Sequence, residues 1–96
     1  MARKRSAGKQ FKALVKKGGL VTRASGKDGA RVLVRQHEDA ANKRNKYVVV
    51  VFDPLRDMKP VSYMYHSSRA AELAVMAVQP ERGEWKAWDG EKEWWL

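Results

Sequence analysis

Cysteine is missing from the 96 residues, which removes disulfides, thiolate metal sites and a cysteine nucleophile together. The fold must hold by packing and hydrogen bonds, as suits a reducing cytoplasm. No apolar run approaches the ~18–20 residues that span a bilayer. The basic opening MARKR is followed by Ser, Gly, Lys and Gln rather than by the apolar stretch of a signal peptide. A soluble, cytoplasmic protein without membrane contact is expected. Catalytic apparatus is equally sparse. His37 and His66 show no metal-ligand spacing. His37-Glu38-Asp39 reads as a solvated loop edge, because a metal site needs several preorganised ligands. Asp53 and Asp57 flank a proline loop as turn formers. Phosphate-loop, Gly-x-Ser-x-Gly and Gly-x-Gly-x-x-Gly spacings are absent. The expected class is non-enzymatic, with no cofactor and no metal.

Acidic residues are absent from one stretch in particular. Residues 1–27 hold nine bases (Arg3, Lys4, Arg5, Lys9, Lys12, Lys16, Lys17, Arg23 and Lys27) and no acid, whereas residues 28–96 hold eleven of each sign. The whole net charge of +9 therefore belongs to the first segment. A chain of this length supports one domain, burying roughly 60–65% of its unfolded surface. The division expected is a basic arm with a short helix over 1–27 and a single compact α+β domain over 28–96.

Within the arm, SAGKQFKALVKKGG predicts a short helix, with Ser6 available as N-cap and Gly18 past its end. Phe11, Leu14 and Val15 give it one narrow apolar stripe. The stripe is too narrow for membrane insertion, so the helix docks through Phe11 and Leu14 or orders on a partner. Leu20 to Ala24 is a candidate short strand. Stronger strand patterns follow in ARVLVRQH (30–37), YVVVVF (47–52) and the alternating VSYMYH (61–66). YVVVVF, apolar on both sides, is expected at the centre of the sheet. SSRAAELAVMAVQ (67–79) predicts a largely buried alanine-rich helix, capped by Ser67 or Ser68 and stopped by Pro80. The fold class is then α+β: a small antiparallel sheet of three to five strands, including a C-terminal hairpin, covered by the alanine-rich helix.

Tryptophan does not occur before residue 85; all four lie in GEWKAWDGEKEWWL. Asp89-Gly90 is a signal for a two-residue hairpin turn. The register it sets pairs Trp85 with Trp94, expected in the core, and places Trp88 and Trp95 among charged residues. Those two are open between burial and contact with a protein partner, since tryptophan is enriched at the centres of interfaces.

The order helix, three strands, then a helix beginning SSRAAELA resembles that of a double-stranded-RNA-binding domain over about two-thirds of the chain. The resemblance implies phosphate contact at the start of the second helix, where Ser67, Ser68 and Arg69 stand here with only Arg69 charged. A tryptophan hairpin is not part of that family's pattern. The leading expectation is a nucleic-acid-binding module, DNA or RNA, gripping phosphate through the nine bases of 1–27 joined by Lys43, Arg44 and Lys46. The other function class is a small phage or mobile-element interaction protein that inhibits a host protein or nucleoprotein complex, using Trp88 and Trp95. An exposed strand edge is where two copies would pair into a dimer.

Overall fold

The computed structural model describes residues 7–22, 29–55, 59–78 and 85–95, with the backbone alone for residues 7–10. Along these residues the elements are α1 (Ala7–Lys16), β1 (Leu20–Thr22), β2 (Arg31–Gln36), β3 (Tyr47–Phe52), β4 (Val61–Tyr65), α2 (Ser68–Val78) and β5 (Trp85–Ala87). The strands form one antiparallel sheet in the order β4-β3-β2-β1-β5. The class is α+β. β2, with Val32, Leu33 and Val34 all buried, takes the centre.

Local chemistry explains the boundaries. Alanine, lysine, glutamine and leucine favour helix in α1, and Gly18 and Gly19, at φ +142° and +98°, end it. The Gly19 N–H donates to the Val15 carbonyl at 3.0 Å. Gly19 is also a site of close approach: a Cβ there would meet the Val34 carbonyl oxygen at 2.9 Å and Arg35 Cβ at 3.1 Å. α2 is capped by Ser67, whose Oγ accepts the Ala70 N–H at 3.1 Å. Ser6 and Pro80 lie outside the described residues.

Strand alternation splits the sheet into two faces. One carries Leu20, Val32, Val34, Tyr47 and Val49, packed against Val15 and Phe11 of α1 and Ala71, Val75 and Val78 of α2. The other carries Val21 and Leu33, with Val50 and Phe52 beside them, and is covered by Trp94 with Trp88 and Trp95. Residues 7–22 share the sheet and core with the later strands, since β1 lies between β2 and β5.

Four expectations change. α1 docks through Phe11 and Val15 instead of Phe11 and Leu14; Leu14 is exposed. YVVVVF forms β3, second from one edge and not central, because β1 and β5 extend the sheet beyond β2. α2 is not buried all round: Ala71 and Val75 are buried while Leu73 and Met76 face outward. The C-terminal hairpin does not form. β5 spends its ladder hydrogen bonds on β1, in the register Thr22 with Trp85 and Leu20 with Ala87. Asp89 Oδ1 accepts the Glu91 N–H at 3.0 Å, and residues 92–95 follow as turns. This path lets Trp94 bury against Val21 and Leu33, which an edge strand beyond β5 would not. Trp85 and Trp94 accordingly sit on opposite faces of the sheet.

The resemblance to a double-stranded-RNA-binding domain weakens at this level. β1 intervenes between α1 and β2, β5 follows α2, and Arg69 pairs with Glu72 at 3.6 Å.

Candidate nucleic-acid interface

The sheet register brings separated bases to one end of the molecule. Leu20 opposes Val34, Gln36 opposes Tyr47, Tyr47 opposes Tyr65, and Leu20 opposes Ala87. The end of α1, the exits of β2 and β5 and the entry to β3 therefore share one end of the sheet. Lys16 and Lys17 arrive there from α1, Arg35 from β2, and Lys43, Arg44 and Lys46 from the β2–β3 loop. Lys16, Lys17, Lys43, Arg44 and Lys46 are exposed, as is Lys12 one turn earlier on α1. Among the described residues, none of these six has an ion-pair partner. Exposed, unpaired cations are available to neutralise phosphates, each such contact releasing counterions condensed on the polyanion.

The loop presenting three of them is tied at its base. The His37 N–H donates to the Lys46 carbonyl at 2.7 Å, and the Ala40 N–H donates to the His37 carbonyl at 3.1 Å. His37 Nδ1 accepts the Asp39 N–H at 3.0 Å, while Asp39 Oδ1 accepts from Asn42 Nδ2 at 2.7 Å. With its Nδ1 lone pair engaged, neutral His37 carries its proton on Nε2 and is a donor there. Asp39 is thus used within the loop. Among the described residues, no group of three or more His, Asp or Glu is placed to hold a metal ion.

Trp88 emerges from β5 at the same end. Its backbone N–H donates to the Gly19 carbonyl at 3.0 Å, and its indole Nε1–H donates to the Glu91 carbonyl at 3.1 Å. A cleft of about 310 Å³ opens here, lined among others by Val15, Lys16, Arg35, His37, Glu38 and Trp88. Trp88 and Trp95, left open by sequence, are both half-buried against the Val21–Leu33–Trp94 cluster. The rings of Trp94 and Trp95 meet edge to face, 5.9 Å apart at 86°. Trp95 is part of the cover, whereas Trp88 both packs and walls the cleft.

Arg3, Lys4, Arg5, Arg23 and Lys27 lie outside the described residues, and Lys9 is placed only as part of the α1 backbone. Arg35 is the basic residue that sequence reasoning passed over, because it sits inside an apolar strand pattern. Its nearness to Trp88 follows from strand pairing and has no local signal. No helix among the described residues is long and apolar enough to cross a membrane. Comparison with protein-family models, curated proteins and solved structures gives no match for this chain.

Proposed function

We propose that this chain is a non-enzymatic, cytoplasmic nucleic-acid-binding module that grips phosphate through its basic N-terminal segment together with the cationic end of the sheet. The observation that carries the reading is the grouping of Lys16, Lys17, Lys43, Arg44 and Lys46, exposed and unpaired among the described residues, at one end of a molecule whose first 27 residues contain no acid. Phosphate contacts of this kind position a polyanion without reading its sequence. Affinity is therefore expected to be salt-dependent and tolerant of sequence. If about half of the nine bases in residues 1–27 touch duplex phosphates, log K falls by roughly 4 for each tenfold rise in salt. A filter-binding titration checks this; no binding at low salt, or binding indifferent to salt, would refute the reading.

A second reading is favoured by a different surface. β4 is an end strand of the sheet, and it exposes Val61, Tyr63 and Met64, while α2 exposes Leu73 and Met76. An apolar edge of this kind suits a protein partner, as an inhibitor of a host protein or nucleoprotein complex would require. Pull-down with and without nuclease separates the two: a partner retained after nuclease supports direct protein contact, one lost supports nucleic acid.

A further inference from the structure

We propose that the cleft between the end of α1, the end of β2 and Trp88 takes one nucleotide of a single-stranded nucleic acid, with the base stacked on Trp88 and the phosphate held by Arg35 and Lys16. This deepens, and rests on, the nucleic-acid reading above. Tryptophan near the acidic C-terminal sequence looks unsuited to a polyanion, since stacking platforms for single strands lie in positive grooves. The fold adds basic neighbours to Trp88, while Asp89 and Glu91 stay beside it. Trp88 shares its cleft with Lys16, Arg35 and His37, against Glu38 as the acidic lining residue.

The ring is prepared for such a role. Two hydrogen bonds, one from its backbone N–H to Gly19 and one from its indole N–H to Glu91, fix it before any ligand arrives. Little conformational entropy is then lost on binding. Because the indole N–H is already satisfied, what the side chain offers a ligand is its π-surface, which every base can use. Arg35 contributes a planar fork that matches phosphate oxygens, Lys16 a mobile point charge, and His37 an Nε2–H donor. The cleft of about 310 Å³ lies at the low end for small-molecule clefts (~300–1,000 Å³), with room for one nucleotide. A base within a duplex cannot enter, since its faces are covered by its neighbours. The ligand class is consequently an unpaired nucleotide within a strand whose flanking phosphates reach Lys17, Lys43, Arg44 and Lys46.

The test compares two labelled ten-nucleotide probes of equal phosphate number by fluorescence anisotropy: oligo(dT) and the same strand made abasic. Stacking of one base predicts that the wild-type chain binds oligo(dT) about 5- to 100-fold more tightly than the abasic strand. Trp88→Ala is expected to bring that ratio close to one, and Trp88→Phe to keep most of it. Equal binding of the two probes by the wild type, or an unchanged ratio in Trp88→Ala, would overturn the proposal. Should Trp88→Ala fail to fold by circular dichroism, Trp88→Leu, which keeps apolar bulk without an aromatic face, takes its place, again with a ratio close to one expected and an unchanged ratio overturning the proposal. Failure of the wild type to bind either probe at low salt removes the cleft, and removes the underlying reading as well only if a duplex also fails to bind in the filter-binding titration. Tight but equal binding removes the cleft alone.

Discussion

The two faces of the sheet are closed by different means. Over one, α1 and α2 lay Phe11, Val15, Ala71, Val75 and Val78 on Leu20, Val32, Val34 and Val49. Over the other, residues 88–95 cover Val21 and Leu33 with three tryptophans. A short segment has few side chains with which to exclude water, so each must cover much area, and a tryptophan buries ~150–250 Å². The crowding of tryptophan at the end of the chain is in the first place a packing solution. It also means that stabilisation is spread over many small contacts on the helical face and concentrated in single side chains on the other.

That contrast breaks or stands on one pair of variants. Trp94, 3% exposed at the centre of its face, is expected to cost about 3–5 kcal/mol when changed to alanine. Val75→Ala, which empties an equally buried position under α2, is expected to cost about 2 kcal/mol. Urea midpoints measure both. For a domain with ~5–15 kcal/mol in total, the first loss is a large share. Equal losses would mean that the tryptophan face is no more concentrated than the helical one.

The next effect lies where the two coverings meet. Gly19 ends α1, enters β1 and accepts the Trp88 N–H. Gly19→Ala combines the strain of φ +98° with overlap on the Val34 carbonyl and Arg35 Cβ, and about 3 kcal/mol of destabilisation is expected. Gly18→Ala at φ +142° meets no atom within 4 Å, so strain alone remains, about 1–2 kcal/mol. Thermal denaturation should rank Gly19→Ala below Gly18→Ala. Gly19→Ala should also loosen Trp88, linking the turn to the cleft.

What could be read from sequence follows the range of the signals. β2, β3, β4 and α2 fall within a residue or two of their expected spans, because alternation, β-branched runs and a serine cap act over a few residues. The Asp89-Gly90 signal is equally local, but it specifies a turn and not a partner. β5 found β1, brought beside it only by the assembled sheet. The apolar composition of α2 likewise carried no information on direction: Leu73 and Met76 are as apolar as Val75 and point the other way. In the candidate site, the charge of Lys16, Lys17, Lys43, Arg44 and Lys46 was legible, but their convergence was not. It depends on the Leu20–Val34 and Gln36–Tyr47 pairings. Arg35 beside Trp88 depends on the same pairings and on Gly19.

The smallest effect sharpens the comparison from the helical side. If α2 seals its face through Ala71, Val75 and Val78 alone, its outer residues add little to folding. Leu73 and Met76, 49% and 56% exposed, can then be replaced by glutamine, a comparable helix former, with a change in stability below about 0.5 kcal/mol. Chemical denaturation of Leu73→Gln and Met76→Gln at two protein concentrations checks this. A loss above about 1 kcal/mol that shrinks on dilution, as the wild type loses its own partner, would show that the outer face is covered by a second copy. The apolar character of α2 would then belong to an interface as much as to the core. A concentration-independent result near zero leaves the helical face closed by its inner stripe, and the burden of the other face on Trp94.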